Sequence, residues 1–265
     1  WGLLIDLHCH LLPGIDDGAR TLEDSLAMAE LAIAEGITHI LVTPHHKNGS
    51  YENVKTVIEK KTAELQAEFD KRDIALTLFP GQEVRLNGEL LTDVYNDEIL
   101  FADLDNQYLL IEFPTLSIPH YAESLFFQLH QKGITPVIVH PERNQAVIAD
   151  PNTLLPFIER GALAQLTASS YVGIFGKEIA ELSSRLIEAN LVHIIASDAH
   201  NTRGRSFHMR EAFVKLEAEF GGERVLDFQQ NAKAIINGDM VQTAVPMEFL
   251  HKKQRFGFLK KRWGR

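Results

Sequence analysis

Histidine, aspartate and glutamate recur in this chain just after short apolar runs, in combinations that hold metal ions. Asp6-Leu7-His8-Cys9-His10 is followed by Asp16-Asp17-Gly18. Further on stand His45-His46, Gln82-Glu83, Glu112, His140-Pro141-Glu142-Arg143 and Ser197-Asp198-Ala199-His200. His8 and His10, two apart on an extended chain, face the same side, so both imidazoles can reach one ion. An H-x-H pair alone is weak evidence, and the case rests on the whole set. Imidazole mixed with carboxylate suits manganese, iron or zinc better than calcium. With Cys9 as the single cysteine, a thiolate-rich structural zinc site and an intrachain disulfide are both excluded. A catalytic centre for phosphoester hydrolysis is the chemistry expected. A metal lowers the pKa of its bound water towards roughly 7, and a metal pair stabilises both the attacking and the leaving oxygen.

Residues so far apart in sequence need a scaffold that gathers them. Short runs rich in β-branched residues predict seven strands, at 3–7, 39–43, 76–79, 108–112, 136–139, 164–167 and 193–196. Helical periodicity falls between them, at 21–35, 52–71, 120–132, 153–160, 177–189 and 210–220. The first helix opens on a Thr21 cap and stops at Gly36, and three others stop at Gly133, Gly161 and Gly221. Strands alternating with helices imply parallel strands and right-handed crossovers. The expected fold is therefore α/β, a distorted seven-stranded (β/α) TIM-like barrel in a single domain spanning 3–250. An open doubly wound sheet is the competing architecture, weakened by the lack of a Gly-rich phosphate loop. In a barrel, six of the seven strand ends bring a ligand-type residue to one rim, the rim where such folds carry their active sites.

At 265 residues and 45% hydrophobic, the chain is long enough for a substantial core. Its net charge of −10 argues against a nucleic-acid binder, which would present a basic face. The sequence has neither an apolar run long enough to span a bilayer nor a secretory signal pattern, so a cytoplasmic protein is expected. The segment 251–265 differs from the rest. It carries seven Lys or Arg residues and no acid, interleaved with Phe256, Phe258 and Trp263, a composition compatible with peripheral contact with anionic lipid or with a mobile terminus.

Taken in order, the motifs resemble the polymerase-and-histidinol-phosphatase superfamily, and more narrowly the manganese-dependent bacterial protein-tyrosine phosphatases of capsule and exopolysaccharide operons. They run from about Leu4 to Phe220 without a gap. The resemblance implies two or three divalent ions, with Mn2+ the expected metal and Fe or Zn the alternatives. Carried onto matching positions, His8, His10, Glu83 and Asp198 bind the first ion. Glu83 bridges to a second ion held by Glu112 and His140, and Asp17, His45 and His200 bind the third. Asp16 is the alternative to Asp17. The resemblance also points to Arg143 and Arg205 as phosphate-binding or catalytic arginines. The implied partner is a phosphotyrosine protein, a bacterial tyrosine kinase that controls polysaccharide export.

Cys9 is not expected to be a nucleophile. The cysteine-dependent phosphatase loop needs an arginine six positions on, and that position is Ile15. Among the remaining histidines, His39 and His193 begin strands on the opposite rim and are expected to be structural. His46, next to His45, is a candidate for outer support or phosphate contact. Two other functions compete with a tyrosine phosphatase: a small-molecule phosphoesterase such as a histidinol-phosphate phosphatase, and a non-catalytic kinase-docking protein. The second is disfavoured by the cost of burying so many ionisable groups without cations.

Overall fold

The alternation of short β-branched runs with amphipathic stretches produces nine strand segments and ten helices among the described residues, 4–249 of a computed structural model. The basic tail expected at 251–265 lies outside them. The strands are β1 (Leu4–Cys9), β2 (Ile37–Val42), β3 (His45–His46), β4 (Thr77–Pro80), β5 (Glu83–Arg85), β6 (Tyr108–Glu112), β7 (Thr135–Val139), β8 (Leu163–Thr167) and β9 (Ile194–Ala196). The first helices are α1 (Leu22–Ala34), α2 (Lys55–Lys71), α3 (Leu90–Tyr95), α4 (Ala122–Gln131) and α5 (Gln145–Ala149). Then follow α6 (Leu155–Glu159), α7 (Ala168–Tyr171), α8 (Lys177–Glu188), α9 (Met209–Phe220) and α10 (Gly222–Asn237). None of these helices is long and apolar enough to cross a membrane.

Every strand pair is parallel, as the crossovers require. The strands do not form one closed sheet. They make a three-stranded sheet in the order β1-β2-β4 and a six-stranded sheet in the order β3-β5-β6-β7-β8-β9. The split has a local cause. Pro44 has no N–H to continue the ladder beyond β2, and at Gly81 a Cβ would lie 2.8 Å from the Leu41 side chain, so both chains step before resuming as β3 and β5. The step is held by Thr43 N to Cys9 O (2.9 Å), Gly81 N to Val42 O (2.9 Å) and Glu83 N to Pro44 O (3.1 Å). Two of the seven expected strands are thus each followed by a further short segment, β3 and β5, that was not expected.

Side-chain alternation sorts the apolar residues into two clusters. Leu7, Leu41, Leu110, Val137, Val139, Leu163 and Ile194 form an inner one fed by both sheets. Their neighbours Leu109, Ile111, Ile138, Ala164, Leu166 and Ile195 face the helices. Ala232 and Ile235 of α10 join the inner cluster. That helix was not among those expected. It starts directly after Gly221, the glycine that closes α9 at φ 85°, so one residue both ends a helix and opens the next. The spacing of Val225, Phe228, Ala232 and Ile235 gives it a buried face.

Candidate metal centre

The C-terminal ends of the strands deliver the ionisable residues to one place. β1 carries His8 and leads into His10, β3 opens on His45, β5 opens on Glu83, β6 ends on Glu112, β7 leads into His140, and β9 leads into Asp198 and His200. β9 also meets β1 here, through Asp198 N to His8 O (2.8 Å), His10 N to Ala199 O (2.9 Å) and a bridge between Cys9 and Ala199.

Four ligand-type atoms form an inner group, and His45 Nδ1 lies 2.8 Å from one of them, Glu83 Oε2. His8 Nε2 and His10 Nε2 are 3.2 Å apart. Glu83 Oε2 is 3.3 Å from each, and Asp198 Oδ1 is 3.4 Å from His8 Nε2 and 3.3 Å from His10 Nε2. Two imidazole nitrogens facing carboxylate oxygens are a donor set for a divalent ion. Glu83 Oε2 and Asp198 Oδ1 are buried and accept no hydrogen bond, a state that a cation there would relieve. The residues therefore fit a divalent ion.

Around this group lie the others. His45 Nε2 and His200 Nε2 are each 3.3 Å from Asp17 Oδ1, and these three residues group with His10. His140 Nε2 is 2.8 Å from Glu83 Oε1 and groups with Glu83 and His8. Glu112 groups instead with Glu83 and His45, and its Oε2 accepts from Arg85 Nε at 2.8 Å. The expected trio of Glu83, Glu112 and His140 is thus divided between two clusters that share Glu83. Asp16 turns away from the other carboxylates. Its Oδ2 accepts from His10 Nδ1 (2.7 Å) and from His45 N (3.2 Å), its Oδ1 from Gly18 N (2.9 Å). Asp17 is the one that meets His45 and His200. The loop can pack this tightly because residue 18 is glycine, where a Cβ would stand 2.2 Å from the carbonyl oxygen of His10.

Each histidine of the inner group is held by its other nitrogen. His8 Nδ1 donates to Gln165 Oε1 (2.9 Å), His10 Nδ1 to Asp16, and His200 Nδ1 to the Asp198 carbonyl (2.9 Å). The Nε2 lone pairs are thereby directed inward. Two of the candidate ligands pay for their placement in backbone strain. His140 has φ 35° and Asp198 φ 51°, left-handed conformations that cost roughly 1–3 kcal/mol each.

Arg143 and Arg205 converge on Asp198. Asp198 Oδ2 accepts from Arg143 Nη1 and, at 3.2 Å, from Arg205 Nη2, while Arg205 Nη1 reaches Asp17 Oδ2 at 3.4 Å. The Arg143 guanidinium also lies over the Phe175 ring, 5.4 Å from its centroid. Two cations thus border the ligand cluster.

The electrostatics favour charged carboxylates. Burial opposes ionisation of Glu83, yet His8 and His45 outweigh it and hold its pKa well below the ordinary value. At Asp198 burial is likewise overcome, by His8 and Arg143. Burial lowers His200 to about 4, helped by the His10 charge, which leaves its imidazole neutral. His45, where burial is outweighed by Glu83, is raised to about 9. Buried, ionised carboxylates facing imidazoles are a cation-binding environment.

Three residues for which no role was expected complete the support. Gln165 is the polar residue inside the apolar run of β8, the strand that offers no ligand-type end. Asp6, raised to about 6 by burial, accepts from Ser197 N (2.9 Å) and Ser197 Oγ (2.5 Å) and ties β1 to β9. A buried polar residue inside an apolar strand was the available signal for the first two. Arg85, which pairs with Glu112, carried none. His39 and His193 sit at the opposite rim, where His39 Nδ1 meets Thr38 Oγ1 (2.8 Å) and His193 Nδ1 accepts from Ala164 N (3.0 Å). His46 is buried beside the centre but belongs to none of the ligand groups, and its ring nitrogens have no hydrogen-bond partner. Cys9 is fully buried with its thiol 3.6 Å from the Ala199 carbonyl oxygen. Burial first, then Asp6 and Asp198, push its pKa well up, the opposite of what a nucleophile needs.

Comparison with known proteins places these features in context. A family model described as "Capsular polysaccharide synthesis, CpsB/CapC" matches residues 4–237. Over 255 residues the chain is 43% identical to the tyrosine-protein phosphatase YwqE of Bacillus subtilis (strain 168), covering 96% of this chain and 100% of that one. It is 34% identical to CapC of Staphylococcus aureus over 256 residues, covering 97% and 100%. A crystal structure from a study of YwqE from Bacillus subtilis and CpsB from Streptococcus pneumoniae, described as unique metal-dependent tyrosine phosphatases, superposes with a TM-score of 0.90. Its identity is 42%, and the match covers 94% of this chain and 100% of that one.

Proposed function

This chain belongs to the CpsB/CapC family of capsular polysaccharide synthesis proteins, and from that premise we propose that it is a metal-dependent tyrosine phosphatase. One observation carries the reading. His8 Nε2 and His10 Nε2 stand 3.2 Å apart, and Glu83 Oε2 and Asp198 Oδ1 each lie 3.3–3.4 Å from both, with Arg143 and Arg205 beside Asp198. We assign His8, His10, Glu83 and Asp198 to one ion, Asp17, His45 and His200 to another, and Glu83, Glu112 and His140 to a third position around the shared Glu83. Nitrogen and oxygen donors without thiolate suit manganese, with iron or zinc as substitutes.

When bound, the ions supply Lewis acidity and an activated water for in-line attack on phosphorus. The chain itself does the positioning. Arg143 and Arg205 donate to the non-bridging phosphate oxygens and stabilise the charge that shifts onto them, each guanidinium held in place beforehand by Asp198 Oδ2. Gln165, Asp16 and the Asp198 carbonyl fix the imidazole orientations. The leaving phenolate, with a parent pKa of about 10, needs little help from a proton donor, which favours aryl over alkyl phosphates.

The two sheets wrap one interior, and we read them as a distorted seven-position barrel in which β2 with β3, and β4 with β5, each count as one broken strand. The shared inner cluster and the contact between β1 and β9 support this. Residues 3–250 are then one catalytic unit and 251–265 a basic appendage suited to a membrane surface. The substrate is a phosphotyrosine protein, a cytoplasmic bacterial tyrosine kinase that governs capsule or exopolysaccharide synthesis.

Elemental analysis of the purified protein, with turnover of a phosphotyrosine peptide and of histidinol phosphate before and after chelation, tests the reading. Expected are at least two bound divalent ions, turnover of the peptide well above that of histidinol phosphate, and loss of both on chelation. Peptide hydrolysis that survives complete metal removal would rule it out.

A further inference from the structure

Next to the candidate metal centre, on the side of Asp17 and His200, a cavity of about 310 Å³ opens between the loop after β1 and the loop after β9. The first loop sends Arg20 into its wall and the second Arg203, with Asp24 and Asn201 between them. Both arginine side chains are exposed, and neither makes a hydrogen bond or ion pair among the described residues. Their backbone nitrogens donate to Asp24 and to Asn201. This sets them apart from the other cations around the centre. Arg143 and Arg205 are held by Asp198, Arg85 by Glu112, and Lys47 by Asp93.

The two acids of the cavity are already engaged. Asp24 Oδ2 accepts from Arg20 N (3.1 Å) and Thr21 N (3.2 Å) as part of the cap of α1, and Asp17 faces His45 and His200. What the cavity lacks is a partner for two guanidinium groups, on a chain whose net charge is −10. The cavity on the other side of the centre, lined by Glu112, His140 and Arg143, measures about 70 Å³ and offers no unpaired cation. A peptide that presents phosphotyrosine to the centre therefore finds room together with unpaired positive charge on the side of Arg20 and Arg203.

We propose that this cavity is a subsite for an aspartate or glutamate side chain flanking the phosphotyrosine, with Arg20 and Arg203 as specificity-determining residues. The inference rests on the tyrosine phosphatase reading above. Arginine binds carboxylate through paired N–H donors, and at exposed positions the effect is modest and weakened by salt.

Two phosphotyrosine peptides of equal length, one with glutamate and one with glutamine on both sides of the phosphotyrosine, test this on the metal-loaded protein. A small aryl phosphate serves as the reference for each variant. Expected is a roughly tenfold higher kcat/KM for the acidic peptide, carried by KM and shrinking as salt rises. Arg20→Gln with Arg203→Gln should remove the preference, and Arg20→Glu with Arg203→Glu should invert it. Equal turnover of the two peptides by the unaltered protein overturns the subsite while leaving the phosphatase reading intact, and so does a preference that survives both double substitutions. Turnover of the aryl phosphate with neither peptide hydrolysed sinks the phosphatase reading, and the subsite with it.

Discussion

Gln165 Oε1 lies 2.9 Å from His8 Nδ1, a buried contact that spans 157 residues of sequence and joins β8, which offers no ligand-type residue at its end, to the metal cluster. The amide oxygen can only accept, so the imidazole must carry its proton on Nδ1 and keep Nε2 free for a cation. Replacing Gln165 with leucine leaves the apolar packing of the strand but removes that constraint. Metal affinity should fall about 10- to 100-fold, as supporting residues of this type usually contribute. Metal titration followed calorimetrically checks it, with thermal unfolding of the metal-free protein as the control for folding.

Arg143 and Arg205 share one oxygen of Asp198, so a lysine at either position keeps the charge and loses the planar fork. Arg143→Lys and Arg205→Lys are each expected to lower kcat about a hundredfold, the scale of one lost donor to developing charge. Metal content, measured on the same samples, should stay at the level of the unaltered protein. A variant that loses its metals together with its activity would assign the arginine to ligand positioning instead.

Much of this centre was legible because metal ligands must be histidine or carboxylate and because a β/α repeat sends every strand end to one rim. His8, His10 and Asp198 form one cluster, and His10, Asp17, His45 and His200 another, for those two reasons. Support for the ligands was less visible. Gln165 and Asp6 act through contacts between distant strands, and nothing local distinguishes a glutamine that holds an imidazole from one satisfied by backbone. The continuation of β2 into β3 and of β4 into β5 also escaped notice, with Pro44 and Gly81 at the two steps. Pattern reading treats such residues as strand ends, whereas here the chain steps aside and continues. Helix α10 was missed for a related reason, since Gly221 reads as the end of one helix and not as the start of another.

Gly18 supplies a purely steric test. An alanine there would put its Cβ 2.2 Å from the His10 carbonyl oxygen and 2.5 Å from the His10 Cβ. The loop carrying Asp16 and Asp17 has to move away from His10, which breaks the Asp16 contact and misplaces Asp17. Gly18→Ala should destabilise the protein by about 3 kcal/mol, at the upper end for overpacking. It should also reduce metal stoichiometry, a loss that denaturant melts alone do not report and elemental analysis does.

Cys9 separates hydroxide chemistry from thiolate chemistry. Its thiol is buried against the Ala199 carbonyl, and burial together with Asp6 and Asp198 keeps it protonated. Cys9→Ser retains a donor to that carbonyl and should keep most of the phosphatase activity, whereas His8→Ala or Asp198→Ala should lose nearly all of it. Complete inactivation by Cys9→Ser with the metals still bound would contradict the mechanism.

His193 makes the fold itself sensitive to pH at the rim opposite the centre. Its Nδ1 accepts from Ala164 N at 3.0 Å, so the ring is neutral in the native state, and burial together with the charge of Arg224 lowers its pKa to about 4. In the unfolded chain the same ring titrates near 6.5, as free histidine does. Between those values the unfolded state binds a proton that the native state refuses, so stability falls as pH drops from about 6.5 and levels off below about 4. The total loss from this one group is roughly 3 kcal/mol. His193→Asn offers an amide oxygen to the same backbone donor and cannot titrate. The stability difference between the unaltered protein and the variant, from urea unfolding at a series of pH values with chelator present, should therefore shrink by about that amount from pH 7 to pH 4. Ligand histidines that titrate in the same range are common to both proteins and cancel. A difference independent of pH would mean that the buried ring finds room for its second proton.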